Sequence, residues 1–192
     1  MKTHTYTASI LRHSLARNIK LTLPAIALAV LTLASPTGAR ADQTPELPTG
    51  CDTLNVEAGH RLSSRVYALG VQIYRWSGTN WAFIAPEATL YSDPCYQDEV
   101  GTHYAGPTWE ATDGSFVKAT RVDGCTPYRG AIPWLLLKTS SNSGSGVLGR
   151  VTFIQRVNTI GGAAPAEAGA FVGDEARVPY TTEYYFYRAT KD

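Results

Sequence analysis

This sequence predicts an all-β domain, an antiparallel β-sandwich or a closed β-barrel of about eight to ten strands with little helix. Three observations lead there. Short runs of β-branched and aromatic residues follow one another from residue 61 to residue 188, several with strict alternation of side-chain character. Turn residues interrupt these runs at roughly ten-residue spacing. The Ala-rich stretch 165–170, which invites a helix, is only about one or two turns long and too short to hold by itself. Sandwich and barrel remain alternatives at this level.

The elements justify the class in order. Residues 1–41 read as a signal peptide, because Lys2, Arg12, Arg17 and Lys20 precede an apolar run, 21–34, that ends near Ala39-Arg40-Ala41. That run of about 14 residues contains Pro24 and is short of the roughly 20 that span a bilayer. Cleavage after Ala41 would leave no transmembrane anchor and a periplasmic or secreted product. Residues 42–50 are polar and Pro-containing, a flexible lead-in, and residues 51–192 form a single β domain.

Within that domain, 61–68 and 71–76 alternate as strands, Ser77-Gly78-Thr79-Asn80 is turn chemistry, and 81–85 resumes the extended pattern as a hairpin. Residues 89–92, 101–105 and 108–111 are further short strands, and Asp113-Gly114 is a tight turn into 116–122. Pro133 suits the start of the strand 134–139. In 147–158, Val151, Phe153 and Val157 share one face while Thr152, Ile154 and Arg156 share the other, so the strand packs on both sides or lines an interior. Residues 179–188 close the domain, with Tyr184 and Phe186 alternating against Tyr185 and Tyr187.

Charge narrows the partners. The whole chain is +1, with 17 Lys and Arg against 16 Asp and Glu. All five basic residues before Asp42 and no acidic ones lie in the leader, so twelve basic residues face sixteen acidic ones afterwards, about −4. A domain of that balance lacks the basic face that a phosphate backbone requires, and nucleic acid is not an expected partner. About 150 residues suffice for a core without metal or cofactor, and none is implied. All 4 Trp and ten of the 11 Tyr follow the leader, giving surfaces for packing or ligand stacking.

Three cysteines, Cys51, Cys95 and Cys125, all follow the leader. In an oxidising compartment two of them can pair. Cys95 and Cys125 both sit in polar, loop-like stretches and form the favoured disulfide, leaving Cys51 free. The absence of any Cys-x-x-Cys pair, with only His60 and His103 beyond the leader, argues against a metal site.

Gly144, Gly146 and Gly149 match Gly-x-Gly-x-x-Gly. The context is wrong for a dinucleotide, since Ser140-Ser141-Asn142-Ser143 precedes the match and a strand follows, so a hairpin loop is expected. No nucleophile elbow, His-Glu-x-x-His pair or P-loop is present. The densest group of reactive side chains runs from Gly101 to Ser115. It holds His103, Tyr104, Trp109, Glu110 and Asp113. A carboxylate beside His103 could raise its pKa and fix its tautomer for acid–base work. Structural roles are the stronger reading: Tyr104 and Trp109 as core or cross-strand packing, Gly106-Pro107 as a turn, Asp113 as a turn cap, and His103 as a satisfied structural histidine. Arg156, at the centre of a strand, needs a partner if it is buried.

Several segments together resemble the domain of unknown function 3455 family of exported bacterial and fungal proteins. They are 70–74 (Gly-Val-Gln-Ile-Tyr), 81–91, 103–110 (His-Tyr-Ala-Gly-Pro-Thr-Trp-Glu), 131–137, 154–159 with Gly161-Gly162, and the closing 178–180 and 185–187. The resemblance spans nearly the whole of the expected domain and implies no established activity. Members carry a Cys directly after Gln-Ile-Tyr and another after the Gly-Gly-x-x-Pro loop, where this chain has Arg75 and Ala166-Glu167-Ala168-Gly169. Both halves of that implied bridge are missing together, which implies a relocated one.

Two function classes follow. The first is a non-catalytic extracytoplasmic module that binds a small molecule or an envelope component, with Tyr104, Trp109 and Arg156 as ligand contacts. It calls for a concave aromatic surface or interior cavity holding several of Trp76, Tyr104, Trp109 and Trp134. The alternative is a hydrolase-like enzyme using His103 with Glu110 or Asp113, which requires those groups around one pocket.

Overall fold

The computed structural model describes residues 44–190; the signal peptide expected from the sequence lies outside the described residues. Eight strands follow one another: β1 (His60–Trp76), β2 (Trp81–Tyr91), β3 (Glu99–Tyr104), β4 (Thr108–Ala111), β5 (Phe116–Cys125), β6 (Trp134–Ser143), β7 (Phe153–Gly161) and β8 (Glu175–Ala189). Each pairs antiparallel with the next, and β8 returns to pair with β1, closing a barrel. A barrel rather than a sandwich is therefore the architecture. The 3-10 turn Asp52–Leu54 is the only helical element among the described residues, and 165–170 is irregular.

Closure rests on the longest ladder, which runs from His60↔Ala189 to Arg75↔Glu175. The runs 61–68 and 71–76 are one strand because Gly70 crosses without a side chain: a Cβ there would lie 2.1 Å from Glu87 O. Bulges at Leu62/Ser64 and Ile73/Tyr74 bend β1 around the barrel. The β7–β8 loop is held to the β1–β2 hairpin by Trp81, whose Nε1 donates to Glu167 O (2.8 Å), and by Trp76, against which Gly169 packs.

Apolar side chains gather on both sides of the wall. Ala68, Leu90, Trp109, Val117, Ile154 and Tyr184 fill the interior. Outside, Leu62, Leu136, Phe153, Val157, Tyr185 and Tyr187 form a second cluster with Leu54, under the segment that precedes β1. β7 and β8 serve both, Ile154 and Tyr184 inward and Phe153 and Tyr185 outward, which is why neither strand has a polar face. Val151 departs from the expected pattern and joins the interior group, because β7 starts only at Phe153.

One expectation about the amino-terminal part is corrected, the cysteine pairing. Ahead of β1, Leu47 packs against the outer cluster, and Cys51 N–H donates to Pro48 O (3.0 Å). The disulfide joins Cys51 to Cys125, with Cα atoms 5.5 Å apart, while Cys95 is exposed and free. The up-and-down topology is the reason. Cys95 lies in the β2–β3 loop at one end of the barrel, and Cys125 ends β5 at the other.

Unequal strand lengths leave the wall incomplete. β3 pairs with β2 only from Ala88 to Tyr91, and β4 pairs with β5 only from Phe116 to Lys118. Residues 81–87 and 120–125 thus face each other as strand edges above the short β3–β4 hairpin. The first of these edges contains Pro86, a residue that sheets confine to edges and bulges.

Candidate functional site

The gap above the β3–β4 hairpin leads into a cavity of about 390 Å³ inside the barrel. Its floor is the cross-strand pair His103↔Trp109. The rings stack 4.2 Å apart at 14°, and Tyr184 of β8 meets each edge-on at 5.3 Å. Next along the same inward face come Gly101 and Ala111, paired and small.

His103 Nδ1 lies 2.8 Å from Thr108 O. A carbonyl can only accept, so the proton sits on Nδ1 and Nε2 is the ring's acceptor. Complete burial pulls the imidazole pKa down to about 3; the Thr108 bond opposes this in part, and the charge of Arg156 adds to it. The ring is neutral at physiological pH.

Arg156 projects inward from β7, partly buried, and donates Nε and Nη2 to Pro133 O at 3.1 and 2.8 Å. No carboxylate among the described residues forms an ion pair with it. Beside it, Gln72 Nε2, Trp109 Nε1 and the Tyr184 hydroxyl are buried without a hydrogen-bond partner, as is Tyr180 OH behind them. The groups are close neighbours, Tyr184 interacting with Tyr180, Arg156 and Trp109 and Tyr180 with Gln72, but none of the four atoms makes a hydrogen bond of good geometry. Burial raises the pKa of both tyrosines, and Arg156 acts in the opposite direction. At the mouth Arg121 lies over Gly124, where a Cβ would come within 2.6 Å of its Nη2. Phe83, Ile84, Leu135 and Leu137 supply apolar walls, and no Asp or Glu lines the cavity.

A larger hollow, about 700 Å³, lies outside the barrel between residues 44–48 and the side chains of Arg65, Tyr128 and Trp134. Its cation, Arg65, is already met by Glu183 at 2.9 Å.

The family model described as protein of unknown function (DUF3455) matches residues 57–188, from just before β1 to the end of β8. The chain belongs to the DUF3455 family. Neither the curated proteins nor the solved structures contain a match. In this DUF3455 chain the matched span takes in every cavity residue and Cys125, while Cys51 lies before it.

Of the residues nominated from sequence, the DUF3455 barrel brings His103, Trp109 and Arg156 to one cavity. Tyr104 is not with them. It points outward, 39% exposed, and its hydroxyl donates to Glu110 Oε2 at 2.7 Å. Glu110 is outward for the same reason: it pairs with Thr102, and Trp109 takes the place opposite His103. Asp113 caps the β4–β5 turn, accepting from Ser115 N–H (2.8 Å) and Oγ (2.6 Å) on Oδ1 and from Val147 N–H (2.8 Å) on Oδ2. The expected acid–base pairing of His103 with Glu110 or Asp113 does not form. Of the four aromatics, Trp109 lines the cavity, Trp134 is buried in the outer cluster, and Trp76 packs on Trp81 at the β1–β2 turn.

Sequence reasoning missed Gln72, Tyr184 and Arg121 as cavity residues. Gln72 carried a signal, being a polar residue at the same strand parity as Ala68, Gly70 and Tyr74.

Proposed function

We propose that this chain is an exported, non-catalytic binding protein that holds a small molecule in the barrel cavity. One observation carries the reading: three side-chain donors, on Gln72, Trp109 and Tyr184, are buried beside the cavity without acceptors. Buried polar groups have partners in about 90% or more of cases, and an orphaned one costs about 1–3 kcal/mol. A ligand acceptor in the cavity relieves that cost. The size agrees, since ligand pockets run from roughly 300 to 1,000 Å³, and an eight-stranded barrel has room for one small ligand.

Export is supported by the leader pattern and by the Cys51–Cys125 bridge, which suits an oxidising compartment. Against catalysis stand a histidine held neutral by burial and a lining free of carboxylates. No helix among the described residues is long and apolar enough to cross a membrane.

The test is a thermal-shift and tryptophan-fluorescence screen of small amphiphiles. A ligand selective for the native state raises Tm in proportion to ln(1 + [L]/Kd). Entry beside Trp109 changes its emission, and filling the cavity with Leu137→Trp removes the thermal shift. Shifts that persist undiminished in Leu137→Trp refute the interior site.

A further inference from the structure

We infer that the cavity selects a monoanion, a small carboxylate with an apolar body, its charge set against Arg156 and its body along Phe83, Ile84, Leu135 and Leu137. This rests on the reading of the cavity as a binding site and names what it takes.

The charge of the lining is the first reason. Two guanidiniums, Arg121 and Arg156, and no carboxylate line the cavity. After the leader the chain has more acidic than basic residues, so composition alone does not make a cationic interior. Arginine stays charged at any physiological pH, and a charge withdrawn from water is ordinarily paired. Arg156 has Pro133 O as its hydrogen-bond acceptor and no counter-ion among the described residues.

The character of the neighbouring groups is the second. Trp109 Nε1–H and Gln72 Nε2–H can only donate, and the Tyr184 hydroxyl donates readily to an anion. All three are buried and unpartnered on the Arg156 side. Donors that line the same cavity as a guanidinium fit an oxygen-rich anionic head and oppose an ammonium. His103 adds no second positive charge, because its Nδ1 proton is committed to Thr108 O and Arg156 itself disfavours the imidazolium. Arg121 is exposed at the mouth, so Arg156 is the one cation of the lining withdrawn from water, and one such cation favours one negative charge. A dianion would be half uncompensated in an interior of Leu, Ile and Phe. The planar fork of arginine matches a carboxylate by two parallel hydrogen bonds.

The apolar walls are the third. Phe83 and Ile84 are 53% and 47% exposed at the mouth, with Leu135 and Leu137 deeper. Side chains of that kind select a hydrocarbon body behind the head group.

Three ligands with one chain length and different heads separate the possibilities: octanoate, 1-octanol and octylamine, measured by isothermal titration calorimetry at pH 7.5. Octanoate is expected to bind at least tenfold more tightly than the other two. Arg156→Gln should lower octanoate affinity at least tenfold and leave 1-octanol within about twofold, while Arg156→Lys, which keeps the charge, should retain a preference for octanoate. If 1-octanol or octylamine binds the native protein as tightly as octanoate, the anion inference is overturned and the cavity reading stands. If none of the three binds, the cavity reading itself falls. The head-group comparison in the native protein decides the matter even if Arg156→Gln fails to fold.

Discussion

His103 shows how a reactive residue is built into a wall. The ring is flat against Trp109, edge-on to Tyr184 and bonded through Nδ1 to Thr108 O, so its shape and its neutral tautomer are used. With a folded-state pKa of about 3 and an unfolded value near 6.5, the unfolded chain binds one more proton throughout the interval. The neutral ring therefore contributes fully above about pH 6.5, and its contribution declines as pH falls towards 3. The limiting slope is about 1.4 kcal/mol per pH unit. His103→Gln should remove that slope, so urea melts from pH 7 to pH 4 should show the native protein losing ground against the variant as pH falls. A gap that is constant with pH would rule out the neutral buried ring. Residue type singled out His103, Trp109 and Arg156 in the sequence. Which of Trp109 and Glu110 stands opposite His103 was not legible there, because partnership across the turn 105–107 depends on register, and a slip of one residue exchanges the faces.

The short β3–β4 hairpin is the element that turns a closed sheet into a container. Glu99–Tyr104 and Thr108–Ala111 are too short to cover residues 81–87 and 120–125, and the cavity opens where they stop. Gly101 fixes this hairpin against its partners. A Cβ there would lie 2.2 Å from Glu110 O and 3.0 Å from Ala111 Cα, both backbone atoms. Gly101→Ala should destabilise the domain by about 1–3 kcal/mol, the usual range for overpacking, as a lowered urea midpoint with an unchanged m-value. A neutral result would contradict the register of Gly101 with Ala111. At the other end, the Gly-x-Gly-x-x-Gly match is a loop clasped by the β4–β5 turn. Gly146 leaves room for the Asp113 carboxylate, and Leu148 N–H donates to Ser115 Oγ at 3.0 Å. The Ser115 hydroxyl, then the Val147 and Ser115 N–H groups, hold the Asp113 carboxyl below the ordinary carboxylate range. Turn composition made that loop legible; its attachment to Asp113, across the β5–β6 hairpin, was not.

Across the whole domain, the segment before β1 is tied to the barrel rather than trailing from it. Leu47, Leu54 and Val56 sit on the outer cluster, and the bridge from Cys51 to Cys125 spans 74 residues of sequence. Opening a loop of that length by Cys51→Ser or Cys125→Ser should cost roughly 2–4 kcal/mol, read as a drop in Tm of the oxidised protein. Cys95→Ser should leave Tm within error, since the thiol is exposed and unpaired. Under non-reducing conditions alkylation should label Cys95 alone. Period-two alternation and turn residues are local properties, so the sequence by itself determined that this is an all-β domain and where most of its strands and turns lie. Closure, register, the disulfide partner and the cavity belong to the tertiary structure alone. Each depends on segments far apart in sequence, β8 reaching β1, Cys51 meeting Cys125, and two short strands stopping below two long ones. Nothing in the local spacing of residues encodes which distant edges meet.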